Sequence, residues 1–173
     1  MGQDKALLSV EGEAMALRVA GALREAGAAE VVGIGGDAEA LGRLGLRVIA
    51  DDHPGEGPFP ATLTALRHAP REVVAVLSCD LLRPSAVAVT ALVRALMEGE
   101  ALVAVPVVDG HHQWTHAVWR RAALEPLQAS YGAGVRSLRR AATDLALCEV
   151  VDIDGRSVAD ADAPSDLGPV SPE

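Results

Sequence analysis

Two side chains stand out for the chemistry that their settings allow. Lys5 is the only lysine among fifteen basic residues and lies three positions after Gly2. An ammonium beside a glycine turn can reach phosphate oxygens as a point charge. Asp80 ends the run "VVAVLSCD", apolar on both faces, so its carboxylate is delivered to the end of a buried strand. One carboxylate together with substrate phosphates is the usual way of holding Mg²⁺, which keeps several waters and needs few protein ligands. The same positions also suit a solvated surface lysine and the cap of a helix beginning near Pro84.

Other positions are weaker signals. Asp51 ends a second apolar run, "LRVIAD", and Gly57 lies in the turn-rich loop "DDHPGEGPFP" that follows. Backbone N–H groups where a strand hands over to a helix suit an anion. His111, His112 and His116 fall close together, but nothing fixes a third ligand direction, so a polar hairpin tip is the expectation. Arg136, Arg139 and Arg140 read as solvated helix surface.

These groups need a scaffold, and the composition indicates which kind. Half of the 173 residues are apolar, yet the aromatic set is two Trp, one Tyr and one Phe. An Ala-, Val- and Leu-built core suits buried parallel strands covered by helices. A chain of this length can bury a core without disulfide or metal staples. The net charge of −9 argues against a nucleic-acid backbone or an anionic membrane surface as partner. A phosphorylated ligand is compatible with it where a lysine or metal ion acts locally. Cys79 and Cys148 lack metal or disulfide spacing, and Cys79 is expected to be a small buried hydrophobe. No leader and no long apolar span is evident, so a soluble cytoplasmic protein is expected.

The periodicity predicts a helix over 13–26, a strand over 30–36, a short helix over 37–43 and a strand over 46–51. A helix over 61–68, a strand over 73–80 and a helix with Pro84 in its first turn come next. A strand over 101–108 is deflected toward an edge or bulge by Pro106. A hairpin arm over 113–120 turns around Asp109-Gly110. Helices near 121–129 and 134–142 and a strand over 147–153 complete the pattern. Strands alternating with helices imply one α/β domain over 1–168, with a frayed tail over 169–173. Its expected architecture is a single Rossmann-like, doubly wound, mostly parallel sheet. Ligands of such sheets bind outside the carboxyl ends of the strands, which is where Asp51 and Asp80 fall.

Four stretches, "MGQDKALL", "VIADDHPGEGPFPA", "LSCDLLRP" and "DADAPSDL", occur in an order that resembles the molybdenum-cofactor guanylyltransferase family of nucleotidyltransferases. The resemblance spans nearly the whole chain. It implies a nucleotidyltransferase fold and transfer of GMP from GTP to molybdopterin, with release of pyrophosphate and use of Mg²⁺. Molybdoenzymes or cofactor-insertion proteins are the implied further partners. It also implies that Lys5 and Asp80 are catalytic, Gly2, Lys5, Asp51, Gly57 and Asp80 bind nucleotide, and Arg136, Asp160 and Asp162 bind the second substrate. Asp80 and Asp162 are the implied metal ligands.

Several positions depart from the family pattern. Ala61 replaces a loop glycine, Pro60 stands where alanine is usual, and Ile34 replaces an asparagine near the nucleotide. Asp160 and Asp162 replace asparagines, as in cytidylyl-transferring relatives. A CMP- or phosphosugar-handling transferase and a non-catalytic nucleotide-binding or assembly protein are the alternatives. The chain matches only the last positions of the family's Gly-rich loop, whose preceding residues form a central strand in that family. Loss of that strand would expose four or five large apolar side chains at about 1.5–3 kcal/mol each. The chain as written is therefore expected to be unstable or inactive, with its true start upstream.

Overall fold

The computed structural model describes residues 5–161. Gly2 and Asp162, like the Pro164–Leu167 stretch and the tail over 169–173, lie outside the described residues. A single 3₁₀ turn over Lys5–Leu7 leads into a hairpin of β1 (Ser9–Val10) and β2 (Glu13–Ala14). Glu11 and Gly12 take positive φ values of 53° and 84°, the twist that a two-residue hairpin turn needs. Helix α1 (Met15–Glu25) follows and buries Met15, Ala16, Val19 and Ala20 on one stripe.

Next come β3 (Val32–Ile34), α2 (Ala38–Arg43) and β4 (Arg47–Ile49), with β3 and β4 paired in parallel. Helix α3 (Pro58–His68) leads to β5 (Val73–Leu77), and α4 (Ala86–Met97) leads to β6 (Val103–Val108). The turn Asp109-Gly110, with φ values of 50° and 76°, folds β7 (His111–His112) back on β6. Strand β8 (His116–Arg120), helices α5 (Leu124–Gly132) and α6 (Leu138–Ala142) and strand β9 (Leu147–Val150) finish the order.

The larger sheet runs β5-β8-β6-β7, with β9 paired to the other side of β6. β8 is antiparallel to both β5 and β6, and β9 is parallel to β6. Strands β5, β6 and β9 therefore share one direction, with β8 opposed between two of them. The α/β architecture with its mostly parallel sheet is the one the alternating pattern predicts.

Helices cover both faces of the sheet. Val74 and Val76 of β5 pack toward a core of Phe59, Leu63, Leu66, Trp119, Leu127 and Leu138, which joins α3, α5 and α6. Val73 and Ala75 face the opposite way, toward Leu92 and Leu96 of α4. This is the period-two alternation of a strand buried on both sides. Trp119 and Phe59, the largest of these side chains, are fully buried.

Four expectations are corrected. Helix α3 begins at Pro58, three residues earlier than the spacing suggests, because Pro58 and Pro60 fall in the first turn, where no N–H is required. Pro84 is outside its helix: Ser85 is the cap, its Oγ accepting from the Ala88 N–H at 3.3 Å. Pro106 lies in an interior strand rather than at an edge. It pairs with Val150 of β9, while on its other side the ladder is interrupted, β8 pairing only with Val103 and Ala104 and β7 only with Val107 and Val108, the break that the bulge alternative allows. Cys79 is exposed, since β5 ends at Leu77 and the backbone has left the sheet.

Candidate functional site

The turn after β5 brings the two leading residues together. Lys5 Nζ donates to Asp80 Oδ2 at 3.0 Å and to the Ala161 carbonyl at 2.9 Å. The Asp80 side chain is only 16% exposed. Its second oxygen, Oδ1, accepts a short hydrogen bond from Ser78 Oγ. Burial disfavours the charged carboxylate, but the bonds from Ser78 and Lys5 and the Lys5 charge outweigh it, so its pKa lies below the ordinary value. Asp80 is therefore held as an anion at neutral pH.

The backbone around the pair is fixed from three directions. The Ser78 N–H donates to the Thr115 carbonyl at 2.9 Å, tying the end of β5 to the loop before β8. The Ala161 N–H donates to the Asp80 carbonyl at 2.8 Å, and the Leu82 N–H to the Ala159 carbonyl at 3.0 Å. Leu81 and Asp160 thus form an isolated antiparallel bridge. The segment that carries Asp160 is consequently stitched to the turn that carries Asp80.

His116 stands behind that segment, and nothing in its sequence setting points to this place. It is 2% exposed, pairs opposite Leu77 in the sheet and brings Nε2 to 3.2 Å from Asp160 Oδ1. Its Nδ1 is buried with no hydrogen-bond partner among the described residues. His111 and His112 do not join it: His112 pairs instead with Glu149 at 2.7 Å. No group of three or more His, Cys, Asp or Glu positioned to hold a metal occurs among the described residues.

Asp51 lies on a neighbouring part of the rim. Its Oδ1 accepts from the His53 N–H at 3.1 Å and from the buried Thr64 hydroxyl at 3.3 Å. A side chain at Gly35 would come within 3.3 Å of the Asp51 Cβ, and Gly35 has φ +69°, so a glycine is required for that approach. Gly57, at φ 89°, caps the amino end of α3, whose first turn carries the buried Phe59 and Pro60.

Arg136 joins a separate cluster. Its guanidinium stacks 4.3 Å from the Tyr131 ring, and its Nε lies 3.8 Å from Glu56 Oε2. The Tyr131 hydroxyl donates a short hydrogen bond to the same Glu56 oxygen. His53 and Phe59 flank the ring at 5.1 and 5.4 Å. Glu56 of the "PGEGP" loop is thereby clasped to α5. Hydrogen bonding to Glu56, burial and the Glu56 charge all raise the Tyr131 pKa above its ordinary value. Tyr131 carries no motif, and only its contact with Glu56 marks it.

As a site for Mg²⁺, the donor set fits. Asp80 offers ionised, hard oxygen, and one or two carboxylates plus phosphate oxygens are enough for this ion. Among the described residues no helix is long and apolar enough to cross a membrane.

Comparison with known proteins places the chain among relatives of one family. The chain is 40% identical over 134 residues to a probable molybdenum cofactor guanylyltransferase of Pelotomaculum thermopropionicum, an alignment that covers 75% of the chain and 62% of that relative. It therefore spans less than two thirds of that relative's length. It is 32% identical over 180 residues to the probable enzyme of the same name from Chloroflexus aggregans, covering 96% and 85% of the two chains. Among solved structures, molybdopterin-guanine dinucleotide biosynthesis protein A from Archaeoglobus fulgidus superposes with a TM-score of 0.77 at 19% identity, covering 96% of the chain and 88% of that structure. The 2-C-methyl-D-erythritol 4-phosphate cytidylyltransferase of Thermus thermophilus gives 0.73 at 18%, covering 94% and 90%. At these identities the structures speak for the fold alone. The family model for the MobA-like NTP transferase domain matches residues 1–146, and the chain belongs to that family.

Proposed function

We propose that this chain transfers GMP from GTP to molybdopterin with release of pyrophosphate, in the cytoplasm and with Mg²⁺ as the metal. The observation that carries the reading is the Lys5–Asp80 pair at the carboxyl end of β5, 3.0 Å apart although 75 residues separate them in the chain. The guanylyltransferase names of its relatives supply the substrates.

In the reaction, a terminal phosphate oxygen of molybdopterin bonds to the α-phosphorus of GTP. The bond from that phosphorus to the bridging oxygen breaks, and pyrophosphate leaves with the electron pair. An ionised phosphate nucleophile needs no strong base from the protein. Asp80 would hold Mg²⁺, and the metal supplies charge stabilisation on the phosphate oxygens. The Lys5 ammonium, already fixed by Asp80 and the Ala161 carbonyl, places positive charge where negative charge develops. Asp51 and the amino end of α3 beginning at Gly57 are assigned to the nucleotide, and Asp160 and Arg136 to the second substrate.

The test is release of pyrophosphate from GTP, CTP, ATP or UTP with molybdopterin and Mg²⁺, compared between the native protein and Asp80→Ala. GTP-dependent release abolished by the substitution supports the proposal. Release from CTP alone replaces the assigned base, and GTP binding without turnover replaces the enzyme by a nucleotide-binding protein.

A further inference from the structure

Two donors converge on one oxygen of Glu56. The Tyr131 hydroxyl donates to Glu56 Oε2, and Arg136 Nε lies 3.8 Å from the same atom. Both donors are held by contacts that do not involve Glu56. Arg136 Nη1 donates to the Tyr131 and Val135 carbonyls at 2.8 and 3.2 Å, and its guanidinium lies over the Tyr131 ring. His53 and Phe59 flank that ring, and Phe59 is fully buried in the larger core. Phenol and guanidinium thus form a preset receptor for an anion, and Glu56 is its present occupant.

Glu56 fills the receptor only in part. At 3.8 Å its contact with Arg136 is an ion pair beyond hydrogen-bond reach. Arg136 Nε and Nη2 form the edge of the guanidinium that can donate side by side to two oxygens of one anion. Neither makes a hydrogen bond among the described residues. A carboxylate has two oxygens, and one of these is already on Tyr131. A terminal phosphate has three acceptor oxygens, enough for the hydroxyl and for both donors of the fork.

The occupant also sits on a hinge. Gly55 and Gly57 flank Glu56 at φ 81° and 89°, and a Cβ at either would meet nothing within 4 Å. Packing at the glycines therefore leaves the loop room to move, and the Glu56 side chain is 47% exposed. The receptor borders the rim of the sheet, because the His53 N–H donates to Asp51 Oδ1 at 3.1 Å while its ring flanks Tyr131. Given the assignment of Arg136 to the second substrate, we propose that Tyr131 and Arg136 form its phosphate site and that Glu56 is the internal carboxylate which the phosphate displaces. The Tyr131 hydroxyl is then a ligand, and Glu56 a competitor that weakens binding until its loop swings away.

Binding of inorganic phosphate to the whole chain is read by NMR at the Tyr131 ring and at Arg136 Nε. Glu56→Gln is expected to bind about tenfold more tightly than the native chain, the gain when an occupant that fills a site about nine-tenths of the time is removed. Adding Tyr131→Phe or Arg136→Gln to Glu56→Gln should lose most of that gain. Tyr131→Phe keeps the ring among its neighbours, and the Glu56 and Arg136 side chains are half-exposed, so these variants leave the core in place. Binding by Glu56→Gln no tighter than native overturns the proposal. A gain that survives Arg136→Gln also overturns it, since the phosphate then lies elsewhere. Displacement of the bound phosphate by molybdopterin and not by GTP supports the second substrate as its source, and displacement by GTP as strong as by molybdopterin overturns that source. The site and the reaction fail separately. An Arg136-dependent gain in a protein that releases no pyrophosphate supports the site and removes the reaction, whereas turnover without the gain removes the site alone.

Discussion

Lys5 and Asp80 form an ion pair of 3.0 Å in which each partner is also held by a second bond, Lys5 to the Ala161 carbonyl and Asp80 to Ser78 Oγ. The pair is thus both a structural tie and the place where phosphate chemistry is assigned. The two roles separate experimentally.

Lys5→Met is expected to reduce turnover by about 10²–10³, the usual cost of removing one donor at a developing oxyanion. Because Asp80 has its pKa depressed, the pair stabilises the fold above the ordinary aspartate value of 3.8 and loses that contribution as pH falls through the lower folded value. In Lys5→Met the Asp80 pKa should move upward, which NMR titration of the carboxyl carbon reads directly. An unmoved Asp80 titration would show that Lys5 does not hold the carboxylate.

Tyr131 is the only tyrosine in the chain, so its ionisation can be followed without overlap by ultraviolet absorbance. Its midpoint should lie above the ordinary 10.0 and fall toward it in Glu56→Gln, because the hydrogen bond to Glu56 is the leading cause of the shift. With a raised folded pKa, the bond supports the fold at neutral pH and is lost as pH rises through the folded value. The same substitution should release the "PGEGP" loop from α5, measured as faster exchange of the amides over 53–57.

His116→Ala is expected to cost about 1–3 kcal/mol, from the space left by a buried ring and the lost contact of Nε2 with the Thr115 hydroxyl. Its local signature is faster exchange of the Ala161 and Leu82 amides, whose bonds to Asp80 and Ala159 stitch the segment beside the site. His116→Gln, which can return a nitrogen toward Asp160, should restore part of both. A uniform loss of protection across the whole sheet would instead make His116 a core residue with no local task.

Arg120 closes the end of α4 from another strand. Its Nε donates to the Ala101 carbonyl at 3.0 Å, and its Nη2 to the carbonyls of Leu96 and Gly99 at 2.9 Å each. Three carbonyls on one planar fork suit arginine, and lysine cannot copy that geometry. Arg120→Ala should lower stability by about 1.5–3 kcal/mol, and Arg120→Lys should recover little of it. Denaturant unfolding of the three proteins gives the comparison.

Much of this protein was legible without coordinates. Apolar runs such as 73–77 and 103–108 and the stripe Val89, Leu92 and Leu96 determine strands and helices by local periodicity. Their alternation determines the fold class, and the carboxyl-end rule directs attention to Asp51 and Asp80. Side-chain period misplaces a boundary where backbone chemistry outweighs it, as at Pro58 and Pro84.

The tertiary structure alone decided which distant groups meet. Periodicity records which way a side chain faces but not what lies opposite it. Lys5 and Asp80, Glu56 and Tyr131, and His116 and Asp160 each pair across 44 or more positions, and no spacing in the chain encodes such contacts. Strand order is a global property, set by which edges find partners, whereas the five residues of β5 read as equally buried whether one neighbour or two stand beside them.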